Sequence, residues 1–189
     1  MKSLAFCVLL FAIFLGGCQS GTPQQKLLDK AASALDGKNP AEFLDCIDLS
    51  AYAANQVRNL TNNDAVLGTL NKWSNQLGVG RLDNIIDNVM DVGGKIRQEL
   101  TEGVASGQIM AQCARALTPD CPWSPSALKN AKIVDLSQDA AIAQVTTPAN
   151  ITSWLAMRKI DGAWKIVGRA PMESAARKFA TTDPDAAGN

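Results

Sequence analysis

The chain has 189 residues, 47% of them hydrophobic, which leaves room for one ordinary domain plus a targeting segment. Eighteen basic residues balance eighteen acidic ones, so no charge excess points to nucleic acid or a strongly acidic partner. Histidine is absent, which excludes histidine-dependent triads and most zinc sites, because imidazole is the usual neutral-pH base and metal ligand.

The amino terminus opens with Lys2 and an unbroken apolar run of twelve residues, Leu4 to Leu15. Twelve residues are short for a bilayer span and fit the apolar region of a signal peptide. Leu15-Gly16-Gly17-Cys18 follows and resembles the bacterial lipobox. That resemblance implies cleavage after residue 17, a diacylglycerol thioether on Cys18, and membrane anchoring through several acyl chains. Gln19 stands where enterobacterial lipoproteins carry Asp for inner-membrane retention, so the resemblance points to the outer membrane, facing the periplasm. The other reading is an ordinary signal peptide with Cys18 incidental. Residues 18–22 form a short tether of about 10–14 Å reach, which keeps the domain near its membrane.

A single domain is expected over residues 23–180. Thr22-Pro23-Gln24-Gln25 has the form of a capping box with proline at the first helical position. Leu27, Leu28, Ala31, Ala32 and Leu35 then repeat at helical spacing, with Gly37 as the stop. Asn39-Pro40-Ala41-Glu42 repeats the start signature ahead of Phe43, Leu44 and Ile47. A helix after Ser50 turns Tyr52, Ala53 and Val57 inward. Asp64 caps another helix with Val66, Leu67, Leu70, Trp73 and Leu77. The longest pattern runs from Leu82 to Leu100, with a kink or break expected at Gly93-Gly94 because each glycine costs about 1 kcal/mol in a helix interior. One more helix is expected over Val104 to Leu117, and three prolines make Thr118 to Ser126 a loop.

From Ala131 the period changes to alternation. Lys132 to Asp135 and Ala140 to Thr147 read as strands, followed by a hairpin over Ile151 to Arg169. Its Asp161-Gly162 suits a type I′ turn, which needs φ > 0 at both central residues. That turn sets Lys159 against Trp164, Met157 against Ile166 and Leu155 against Gly168, all on one core-facing side. The other side then carries Trp154, Arg158, Lys165 and Arg169. Arg158 opposite Lys165 is an unfavourable like-charge pair. It points either to an anionic partner such as a lipid headgroup or acidic protein, or to a solvated face with an acidic loop nearby. Met172 to Ala180 reads as a short closing helix, and residues 181–189 as a disordered tail.

Cys7 leaves with the signal peptide and Cys18 is taken by lipid, leaving Cys46, Cys113 and Cys121. Cys113 and Cys121 bracket a proline-containing loop and are expected to pair, stabilising the fold by about 2–3 kcal/mol. Cys46 reads as a small buried hydrophobe. No metal site and no cofactor is expected.

The fold class is therefore α+β, with N-terminal helices packed on a C-terminal four-stranded antiparallel meander. The order of elements, the Ala34-to-Phe43 segment and the hairpin from Leu155 to Val167 resemble the nuclear-transport-factor-2-like cone fold, including uncharacterised envelope members. That resemblance implies a curved sheet around helices, often with a pocket. In members resembling ketosteroid isomerase, Asp, His or Tyr groups inside the cone do chemistry. The matching positions here are Asp45, Asp48 and Tyr52. A helix cap at Asp48 and a packing role for Tyr52 are the plainer alternative. The expected role is a non-catalytic binding or assembly module for an envelope protein or small ligand, with a cofactor-free pocket enzyme as the alternative.

Overall fold

The structure, a computed structural model, describes residues 21–61, 92–119 and 121–182. The signal segment, Cys18, the helices expected between Asp64 and Met90, and the tail from residue 183 lie outside the described residues.

Helix α1 (Pro23–Asp36) starts as its sequence dictates. The Thr22 hydroxyl accepts from the Gln25 amide at 3.2 Å, and Pro23 occupies a position that needs no donor. Leu27, Leu28, Ala31, Ala32, Ala34 and Leu35 are buried. The stop differs from expectation. Gly37 stays right-handed at φ −78°, and Lys38 takes the left-handed position at φ 50°. The Asn39 amide donates to the Ala34 carbonyl and the Lys38 amide to Leu35, the paired bonds of a Schellman motif. Asn39 thereby lands where its side chain caps α2 (Pro40–Asp45), accepting from the Glu42 amide.

The Asp48 carboxylate caps α3 (Leu49–Thr61) through the Ala51 amide at 2.9 Å. The buried stripe of α3 is Ala51, Tyr52 and Asn55, whereas Ala53 and Val57 are only half-buried. Helix α4 (Val92–Ser106) holds Gly93 and Gly94 among its first residues, and the part of the expected Leu82-to-Leu100 helix before Val92 lies outside the described residues. Within the stretch Val104 to Leu117, expected as one helix, the chain breaks at Gly107, left-handed at φ 75°, before α5 (Gln108–Arg115). A left-handed residue ends a helix, and glycine takes that conformation without steric cost. The proline loop is shorter than expected, because Pro125 opens a one-turn helix α6 (Pro125–Lys129).

Strands β1 (Lys132–Asp135), β2 (Ala140–Thr146), β3 (Thr152–Ile160) and β4 (Ala163–Ala170) form an antiparallel sheet in sequence order. Asp161 and Gly162 adopt φ 51° and 83°, as the type I′ turn requires. Lys159 faces Trp164, Arg158 faces Lys165, and Met157 faces Ile166. A bulge between Ala156 and Met157 then shifts the register, so Ala156 faces Gly168 and Leu155 faces Arg169. The expected Leu155–Gly168 pair is therefore replaced, and Arg169 moves to the core-facing side.

Both sides of the sheet are packed. Ala141, Ala143, Val145, Leu155, Met157 and Ile166 meet the N-terminal helices around Phe43, Leu28, Trp123 and Leu128. On the other side Ala140, Ile142, Ala156, Val167 and Ala170 meet Ala176, Phe179 and Ala180 of helix α7 (Glu173–Thr181). The closing helix expected from the sequence thus covers the side expected to face solvent. Trp164 is half-buried at the periphery, and Trp123, fully buried against Phe43 at 5.1 Å in edge-to-face contact, fills the centre.

Candidate functional site

The four residues expected to form one charged face do not form one patch. Arg158 donates from Nη1 to the Thr182 carbonyl at 2.9 Å, which ties it to the carboxyl end of α7, where a cation is favourable. Lys165 donates to the Asp45 backbone carbonyl and lies 3.3 Å from Asp45 Oδ1. Trp154 is half-buried against the α7 cluster. Arg169, turned inward by the bulge, donates to Gln56 Oε1 at 3.3 Å. Arg158 does sit opposite Lys165, and each donates to oxygens elsewhere in the chain, Arg158 to a backbone carbonyl and Lys165 to Asp45.

Asp45, Asp48 and Tyr52 are close in sequence yet sit in three unlike environments. Asp45 is more than half exposed and bridges Lys30 and Lys165. The Lys30 hydrogen bond, then that of Lys165, holds its carboxyl below the usual range. Such a group is a weak base, because its charged form is already satisfied. Asp48 is committed to its cap on α3. Tyr52 is buried at 3% exposure, 6.4 Å from Trp123, and burial pushes its phenol up to about 12 against the opposing charge of Arg169. These three groups therefore do not converge into an acid–base pair. Among the described residues, no group of three or more His, Cys, Asp or Glu is placed to hold a metal ion.

Cys113 and Cys121 form a disulfide, Cα–Cα 5.0 Å, as the loop spacing suggested. Cys46 is a buried free thiol that donates to the Glu42 carbonyl at 3.3 Å, and burial pushes its pKa up to about 11. A thiol held neutral in this way is a poor nucleophile.

The most elaborate polar construction is the outer edge of β4. Ile47 bridges Ile166 in parallel, with the Ile166 amide on the Cys46 carbonyl at 2.8 Å and the Asp48 amide on the Ile166 carbonyl at 3.0 Å. Farther along, Asn55 Nδ2 donates to the Val167 carbonyl and Gln56 Nε2 to that of Arg169. Gly168 makes this approach feasible: a Cβ there would lie 3.1 Å from Phe179 and 3.3 Å from Asn55. The sequence carried a signal for it, since Asn55 follows Tyr52 by three residues on the buried stripe of α3, where a polar side chain needs a partner.

A shallow surface depression lined by Leu49, Ser50, Gly93, Gly94 and Arg97 lies between α3 and α4. Among the described residues, no helix is long and apolar enough to cross a membrane. No family model matches the chain, and neither a curated protein nor a solved structure matches it.

Proposed function

We propose that this chain is a bacterial envelope lipoprotein, anchored through acylated Cys18 and leaning to the outer membrane, whose domain is a non-catalytic binding or assembly module. Leu15-Gly16-Gly17-Cys18 after the apolar run carries this reading. The Cys113–Cys121 disulfide supports it, because such bonds persist in oxidising compartments such as the periplasm. The ordered cap at Thr22 supports it too, since it leaves only a short tether behind Cys18. The non-catalytic part rests on Asp45 in its ion pairs, Asp48 in its cap and Tyr52 in its apolar surroundings. Helices packed on a meander are in keeping with the nuclear-transport-factor-2-like resemblance, which belongs to this proposal.

The test is replacement of Cys18 by Ser. The native protein should take up labelled fatty acid and sediment with membranes, while the variant should lose the label and become soluble. A native protein without acyl label, partitioning as the variant does, defeats the anchoring reading. Turnover of any small substrate that vanishes with Asp48→Asn or Tyr52→Phe defeats the non-catalytic one.

A further inference from the structure

The sheet has two edges, and they are treated oppositely. The outward groups of β4 are met by Cys46, Asp48, Asn55 and Gln56. Along β1, the Leu136 amide donates to the Ala140 carbonyl, which fixes the alternation of the β1–β2 ladder. Even-numbered residues of β1 therefore bond to β2, and Ile133 and Asp135 turn their N–H and C=O groups outward. Those groups meet no backbone partner among the described residues. Val134, 38% exposed, lies between them.

We propose that β1 pairs antiparallel with β1 of a second copy of this chain, across a twofold axis at Val134. Three symmetric registers satisfy the alternation. An axis at Ile133 requires the Ala131 amide, which already donates to Leu128. An axis at Asp135 opposes Asp135 to its own copy and requires the Ser137 amide, already on Ala140. The axis at Val134 uses every outward group: Ile133 and Asp135 exchange four hydrogen bonds across the axis. It also buries Val134 on Val134 and sets the Lys132 stem beside Leu136 of the other copy, with no like charges opposed.

The position of the amino terminus favours a second copy over an unrelated peptide. Gln24, in the first turn of α1, donates to Asp135 Oδ1 at 2.8 Å, so each chain enters its domain beside this edge. The twofold axis brings both entry points to the same side of the joined sheet, where two short tethers reach one membrane. This part rests on the lipoprotein reading. A four-residue edge covers far less than the roughly 1,200 Å² of a stable complex in solution. Pairing therefore depends on the high local concentration of anchored copies, about millimolar for short tethers.

The experiment uses the full chain in its own membranes, with single cysteines placed on β1 and mild oxidation. In the proposed register, residue 134 directly faces its copy, whereas residue 132 is four residues away from its own, roughly 13 Å. Val134→Cys should give mostly cross-linked dimer, at least tenfold more than Lys132→Cys. Adding Ile133→Pro to Val134→Cys should lower cross-linking about tenfold, because proline removes an outward N–H and spares the β1–β2 ladder. Circular dichroism of that double variant confirms that it is folded; if it is not, Ile133 N-methylation by semisynthesis removes the same donor. Equal cross-linking at both positions, a monomer only, or Val134→Cys joined to a different protein overturns the proposal. Acyl labelling of the same sample scores the anchor separately. If the chain is unacylated, the anchor reading fails, and the same cysteine comparison on purified protein at about a millimolar decides the edge.

Discussion

The two faces of the sheet are both buried, yet they are built from different residues. Toward the N-terminal helices the contacts are large and branched: Leu155, Met157, Ile166 and Val145 against Phe43, Trp123 and Leu28. Toward α7 the small residues Ala140, Ala156, Gly168 and Ala170 are interspersed with Ile142 and Val167, and meet Ala176, Ala180 and the large ring of Phe179. The first face can be filled by side chains reaching from several elements. The second is closed mainly by a nine-residue helix, which must come close to the backbone to exclude water. Small residues on a strand thus mark close approach of a neighbour as readily as they mark solvent.

The largest effects test whether the two faces are equally structural. Trp123→Ala and Phe179→Ala should each cost about 3–5 kcal/mol, because each leaves a cavity that its neighbours fill incompletely. Chemical denaturation measures both. A loss of under about 1 kcal/mol for Phe179→Ala alone would make α7 a loose cover. On the helical side the covalent staple comes next. Reducing Cys113–Cys121, or replacing both with Ala, should cost about 2–3 kcal/mol in the chain-entropy model. The same treatment should leave Cys46 unreactive to thiol reagents until the protein unfolds, since its thiol is buried.

Gly168→Ala probes the close packing on the α7 side. The new methyl would press on Phe179 and Asn55, at a cost of about 1–3 kcal/mol. Gly162→Ala has open space around it, so any loss there, about 1 kcal/mol, reports the left-handed turn alone. The smallest effect concerns Asp45. Its pKa is depressed, so its contribution is present above the ordinary value of 3.8 and is lost as pH falls through the lower folded value. Because the carboxylate is more than half exposed, Asp45→Asn should cost under about 1 kcal/mol at pH 7. The variant and the parent should converge as the pH falls from above 3.8 through the lower folded value, in denaturant titrations at matched ionic strength.

Much of this architecture could be read from the sequence because local chemistry determined it. Thr22, Asn39, Asp48 and Asp161-Gly162 each act within four residues of their position, and the Cys113–Cys121 pair closes a short loop. What escaped depends on distant packing. Nothing local says that α7 returns across β2 and β3, so the expected outer face of Trp154, Arg158 and Lys165 is covered or tied instead. The bulge that moves Arg169 inward had a local marker in Gly168, since glycine in a strand pattern often signals one. Trp123 sits in a loop by sequence and at the centre of the core by structure, with Phe43 brought to it from 80 residues away.

Closure of the second face by α7 distinguishes this sheet from one with a face open to solvent. Native-state hydrogen exchange of the α7 amides tests it most directly. The Phe179 and Ala180 amides should exchange only through global unfolding, with the same opening free energy as Met157 and Val145 in the sheet. Exchange of those α7 amides at the rate of a frayed terminus, while the sheet stays protected, would contradict it and return the face of Trp154, Arg158 and Lys165 to solvent.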